Sequence, residues 1–208
     1  MSRTAKTFER RGSIYEPTPD TLIICEDSGS NKTYIEDAKN HFKAHPKIEV
    51  CNCGKSDTVG IVNYAKKVQH KYHEIYCVVD RDSHYKFEQT LAETRSSPKI
   101  KIIPSYPCFE FWLLIHFNPV SKPYGASKGK SAGECVVQDL KNVKEFAAYT
   151  KSKSNRYFDF LLDRLPAARA NAARLLEEAK QRGDLNPSTQ VHLLIKRIEE
   201  LGQLVKIT

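Results

Sequence analysis

Short apolar runs alternate with amphipathic stretches along the first half of the chain. The runs at 21–25, 48–53, 74–79 and 99–103 are rich in Ile, Val, Cys or Tyr and are bounded by polar or turn-forming residues, which predicts strands. Between them, 31–44, 57–72 and 85–95 predict helices. Strand alternating with helix at this spacing predicts βαβ units and a parallel sheet. The first and third runs are almost continuously apolar, as expected of strands covered on both faces. The last strand leads into a further apolar run, CFEFWLLIHF.

The pattern changes after Phe117. NPVSKPYGASKGKSAG has no hydrophobic period and predicts a loop. Helices are predicted over 134–149 and over 157–182, the second ending at a Gly183 C-cap and kinked or split by Pro166. Asn186-Pro187-Ser188-Thr189 offers an N-cap to a last helix with the apolar stripe Val191, Leu194, Ile195, Ile198 and Leu201. No internal repeat is visible. The expected layout is a basic, flexible arm at 1–19, an α/β core at 20–117, and a basic loop with a helical extension packed on that core at 118–208.

With 208 residues, 40% hydrophobic and 28% charged, the chain can bury one core with a modest appendage. No apolar run approaches the roughly 18 residues of a membrane span, so no membrane partner is expected. The N-terminus is basic without the apolar centre of a secretory signal, which points to the cytoplasm. A net charge of +8 favours a polyanionic partner, although a basic cytosolic protein would carry the same excess. Of the 6 cysteines, Cys25 and Cys77 lie inside apolar runs and read as small core residues. Cys51-Asn52-Cys53 lacks the second pair that a zinc site needs.

Candidate chemistry gathers at strand ends. Glu26 and Asp27 follow the first strand; Asp80 and Asp82 follow the third. In a sheet ordered 2-1-3-4 the first and third strands are neighbours, and ligands bind outside their carboxyl ends. Carboxylates packed there repel unless a cation neutralises them, and hard oxygen ligands suit Mg²⁺ or Mn²⁺. Glu26, Asp80 and Asp82 are therefore the candidate metal ligands, with Arg81 turned away or toward a phosphate. Such an ion would bind phosphate oxygens and activate water. Acidic residues at strand ends also commonly cap loops and helices, so the pattern has a purely structural reading as well.

Glu110, in a strongly apolar helix, could reach the same crevice from the helix start, or bond a buried arginine or backbone amides. Lys55, in Cys53-Gly54-Lys55-Ser56, stands at the same edge and could hold a phosphate, or be a surface lysine. The segment is no Walker A loop, because Glu49 occupies a position that needs glycine. Ser56 is the expected cap of the helix beginning at Asp57. Lys122, Lys128 and Lys130 flank Tyr124, cations beside a stacking surface that suit single-stranded RNA, or simply a solvated loop. His84 could shuttle a proton, contact a phosphate or cap the next helix. No local Ser-His-Asp motif and no GxGxxG occurs.

On the segments LIICEDSGSNKTYI, CGKS, YCVVDRDSH, PCFEFWLLIHF and NPSTQVHLL, in that order, the chain resembles the RloB family, whose core looks like a Toprim domain. The resemblance implies a Toprim-like (Rossmann-like) α/β fold: a parallel four-stranded sheet flanked by helices, with a C-terminal helical extension. It also implies that Glu26 stands in the Toprim glutamate position and Asp80 with Asp82 in the metal-binding aspartate pair. Toprim domains occur in topoisomerases, primases and nucleases. RloB-like genes accompany restriction-modification and other phage-defence loci, where related Toprim proteins act on tRNA and where a partner protein such as an ATPase is expected. One departure is local: the family often reads EGEKTE after the first strand, whereas Asp27, Ser28 and Asn31 stand here.

The leading expectation is a Mg²⁺-dependent endonuclease acting on nucleic acid, RNA such as tRNA before DNA. A non-catalytic nucleic-acid or partner-binding subunit is a rival. So is a receiver-like phosphoacceptor, although a receiver needs a fifth strand and a lysine after the fourth. The stripes of the C-terminal helices fit packing on the sheet or a homodimer.

Overall fold

The run TLIIC is buried at every position because alternate residues leave for two covered faces. In the computed structural model, which describes residues 19–81, 86–151 and 156–205, it forms β1 (Thr21–Cys25). Next come α1 (Ser30–His41), β2 (Ile48–Cys51), α2 (Thr58–Val68), β3 (Glu74–Asp80), α3 (Phe87–Thr94) and β4 (Ile100–Tyr106). Then follow α4 (Glu110–Leu114), α5 (Ala132–Lys141), α6 (Tyr157–Leu161), α7 (Leu165–Arg182), β5 (Ser188–Thr189) and α8 (Val191–Val205). The expected N-terminal arm lies, except for its last residue, outside the described residues.

The sheet order is β2-β1-β3-β4-β5. The first four strands are parallel, with Cys25 opposite Val78 and Asp80 opposite Ser105, in the expected order. The expectation of four strands is corrected to five: β5 joins the edge antiparallel, Ser105 facing Thr189. Two residues are too few for any period to be read, and Asn-Pro-Ser-Thr resembles a cap. Thr189 does both jobs. Its hydroxyl bonds that of Ser105 at 2.8 Å and accepts the Val191 N–H at 3.2 Å. A receiver's fifth strand is therefore not what closes this sheet.

Ile23, Cys25, Tyr76 and Val78 point into one buried cluster, with Tyr34, Trp112, Leu140, Ala172 and Ile195. Leu22, Ile24, Ile75, Cys77 and Val79 point into the other, with Ile61, Ala65 and Phe87. The C-terminal helices thus share the larger core with the sheet. Its centre is α4, apolar all round and therefore buried all round: Phe109 through Ile115 are at most 1% exposed, Glu110 included. Tyr34 meets the rings of Phe109, Trp112 and Phe158 edge-on.

Local chemistry sets the helix ends. Asp57, one residue after the expected Ser56, caps α2 by accepting the Gly60 N–H at 2.8 Å. Ser131 and Glu134 form a capping box on α5. Pro166 separates α6 from α7 by lying in the first turn of α7, where its missing N–H costs nothing. Gly183 closes α7 at φ +72°.

Gly202 is where α8 crosses the end of α1; a Cβ there would collide with the Phe42 carbonyl. Overpacking of this kind costs about 2 kcal/mol. Gly202→Ala is expected to lower the melting temperature by roughly 4–8 °C for a chain of this size, measured by differential scanning calorimetry.

Candidate functional site

The chain reverses direction across the sheet between β1 and β3, since β2 lies to one side of β1 and β3 to the other. The carboxyl tips of these two strands form the switch point where open α/β sheets bind ligands. Asn52, just past β2, fixes the tip of β1: its amide donates to the carbonyls of Cys25 and Glu26 at 2.9 and 2.7 Å. The Glu26 N–H continues the ladder to the Val78 carbonyl, and the Glu26 carboxylate accepts the Asp80 N–H at 2.8 Å. Glu26 and Asp80 therefore meet, as the strand order required.

Asp80 in turn accepts the Phe109 N–H at 2.8 Å, tying β3 to the entry of α4. That contact brings Glu110 beside it. Glu110 did not take the buried arginine or backbone amides considered from sequence. Its Oε1 receives the Tyr149 hydroxyl at 2.8 Å, the Ser30 hydroxyl at 3.4 Å and the Lys151 ammonium at 3.2 Å. Its Oε2 is buried with no hydrogen-bond partner among the described residues. A buried carboxylate oxygen without a partner is costly, which makes it an open acceptor at this site.

Asp27 closes the turn before α1, accepting the Gly29 N–H at 2.6 Å. Gly29 is required there for space: a Cβ would run into the Lys151 carbonyl. Asn31 is fully buried, with neither amide atom partnered among the described residues.

The electrostatics follow. Burial, then the neighbouring Glu110 and Glu26 carboxylates, push Asp80 well above its ordinary value, while Lys151 pulls the other way. Burial raises Asp27 too. Lys151 is itself pushed up: partial desolvation of its ammonium beside the buried Glu110 opposes the charge, but Glu110 and Asp80 more than offset it. Among the described residues no three acidic, histidine or cysteine side chains stand together as a ready ion site; the positive charge at Glu110 is an ammonium. The donor set nevertheless fits a hard divalent ion: oxygens only, mutually repelling, one of them orphaned.

Other expected residues are less gathered. Asp82 and His84 lie outside the described residues. Lys55 is exposed beyond β2, on the same edge of the sheet. The Arg81 guanidinium lies 5.7 Å from the Phe87 ring and 3.7 Å from Glu88. It lines a cleft of about 780 Å³ with Tyr106, Ser131, Asp184 and Asn186. Lys122, Lys128 and Lys130 are exposed. Tyr124, expected as a stacking surface, is committed to the fold instead: half-buried, edge-on to Phe111, its hydroxyl on Asp139 at 2.7 Å. The apolar ring found a core within reach, and Asp139 satisfied its hydroxyl.

Lys151, Tyr149, Ser30 and Asn52 escaped the sequence reading. Asn52 had a signal, an Asn two residues before a glycine just past a strand, which marks a turn. Lys151 and Tyr149 had none, because their role depends on a partner far away in the chain.

A family model described as RloB-like protein matches residues 21–198. No curated protein and no solved structure matches the chain.

A carboxyl group whose folded pKa is raised binds protons more tightly folded than unfolded, so stability is lost as pH rises from the unfolded value through the folded one. For Asp80 that window opens near the ordinary value of 3.8 and extends upward. Asp80→Asn keeps Oδ1 as the acceptor for Phe109. Without added metal, the variant is expected to melt higher than the parent at neutral pH, with the gap closing toward about pH 4. A gap independent of pH in calorimetric scans would contradict the assignment.

Proposed function

The chain belongs to the RloB-like protein family, and from that membership and the acid cluster at its strand tips we propose that it is a Mg²⁺-dependent, Toprim-type endonuclease. The substrate is nucleic acid, RNA such as tRNA in preference to DNA, and the setting is antiphage defence with a partner protein such as an ATPase. The observation that carries this reading is the relay at one switch point, Glu26 on the Asp80 N–H and Asp80 on the Phe109 N–H next to Glu110, with a buried Glu110 oxygen left unpartnered among the described residues.

Asp80 and Glu26 would hold the ion, with Asp82 following in the chain. When bound, the ion supplies Lewis acidity toward the phosphate and a water of lowered pKa. The protein's own part is orientation. Glu26 fixes the Asp80 backbone and Asn52 fixes Glu26, so the carboxylates are placed before substrate arrives. The cleft of about 780 Å³ that Arg81 lines would offer a further surface for the nucleic acid. Lys55, Lys122, Lys128 and Lys130, together with the net charge of +8, supply sequence-independent attraction to the backbone. No helix among the described residues is long and apolar enough to cross a membrane.

A binding subunit without turnover is the second reading. It has one observation in its favour: Lys151 already compensates Glu110.

The test is incubation of pure protein with total tRNA, with and without Mg²⁺, followed by end mapping. Discrete Mg²⁺-dependent ends are expected, reduced in Asp80→Asn by roughly two orders of magnitude or more. Undiminished cutting by that variant would refute the mechanism, and tight binding without cleavage at any divalent ion would favour the second reading.

A further inference from the structure

We propose that Lys151 is a working residue of this site: a built-in cation that occupies the acid cluster when no divalent ion is there, and that turns to the substrate's phosphate once an ion replaces it. The inference rests on the metal-dependent reading above and adds a residue that neither the strand-tip pattern nor the family's acidic motif contains.

Three observations carry it. The Lys151 ammonium stands 3.2 Å from Glu110 Oε1, and its field reaches Asp80 and Asp27 as well. It is paired with Glu110, and its charge also favours the ionised forms of Asp80 and Asp27. Second, the pair is lopsided: the Lys151 side chain is 52% exposed, whereas Glu110 is 0% exposed. Glu110 cannot leave the core, but the ammonium can swing into water without opening a cavity. Third, Glu110 Oε2 is buried and unpartnered although an ammonium with three donors is beside it. Lys151 therefore meets Oε1, which Tyr149 and Ser30 already serve, and leaves Oε2 without a partner among the described residues, which is what a placeholder does and a fitted structural ion pair does not.

The backbone leading into Lys151 is packed against the site, whereas its side chain is half exposed. The Lys151 carbonyl is packed against Gly29 in the turn that follows Glu26 and Asp27, and Tyr149, two residues earlier, bonds Glu110. Beyond the lysine, Arg156 reaches Asp37 of α1 at 2.8 Å. The lysine stem is thereby anchored at the rim of the crevice. A divalent ion held by these carboxylates would repel the ammonium, leaving Lys151 free to offer its charge to a substrate phosphate.

The test compares the parent with Lys151→Met, Lys151→Gln and Lys151→Arg. Mn²⁺ affinity is measured by isothermal titration at about pH 8, melting temperature serves as a fold control, and tRNA binding is measured in Ca²⁺ as a function of salt. Removing an internal competitor is expected to tighten Mn²⁺ binding about tenfold or more in the Met and Gln variants, with Arg near the parent. The same two variants are expected to bind tRNA more weakly and with a shallower salt slope, one phosphate contact being lost. Should Met fail to fold, Gln decides, because its amide still donates to Glu110. Unchanged or weaker Mn²⁺ binding in the neutral variants would overturn the proposal while leaving the metal site standing. Absence of Mn²⁺ binding in every protein, parent included, would overturn both.

Discussion

The molecule is organised around one electrostatic constraint: carboxylates from separate elements are held at the tips of β1 and β3, where partial burial strips away part of their water, beside the fully buried Glu110. Placing like charges in such a spot is unfavourable unless something positive joins them. The fold does not relieve the conflict by turning the acids outward. Instead Asn52 fixes Glu26, Glu26 fixes Asp80, and Asp80 fixes the entry of α4. Each acid is part of the support of the next. Such an arrangement stores an attraction for a cation, and Lys151 answers part of it.

The C-terminal helices make this possible. Glu110 is buried because α4 is sandwiched between the sheet and the helical extension, in a core that includes Leu140, Ala172 and Ile195. The segment that carries Tyr149 and Lys151 belongs to that extension, so the part of the chain that looked like an appendage supplies the groups that surround Glu110. Turnover, if it depends on this cluster, depends on the second half of the chain as much as on the first.

What the sequence made readable, and what it hid, divides along the range of the interactions. β1 and β3 were legible because a strand covered on both faces must be apolar throughout, and their neighbourhood followed from the βαβ rule. From that came the meeting of Glu26 and Asp80. The break at Pro166 and the stop at Gly183 were equally local. β5 was hidden because two residues carry no period, and its pairing with β4 is made by hydroxyls that also serve a helix. Tyr124 misled because a lysine-flanked aromatic reads alike whether its ring faces solvent or, as here, Phe111. Lys151 was invisible for the most physical reason: its meaning lies in Glu110, and only the packed chain puts them together.

The central claim, that the strand-tip carboxylates bind one divalent ion, is tested most directly by anomalous diffraction from crystals grown with Mn²⁺. The account expects a single strong peak bonded to the Asp80 carboxylate, with Glu26 or Glu110 completing the protein ligands. A map with no peak at the strand tips, and with Lys151 still against Glu110 at saturating Mn²⁺, would contradict it.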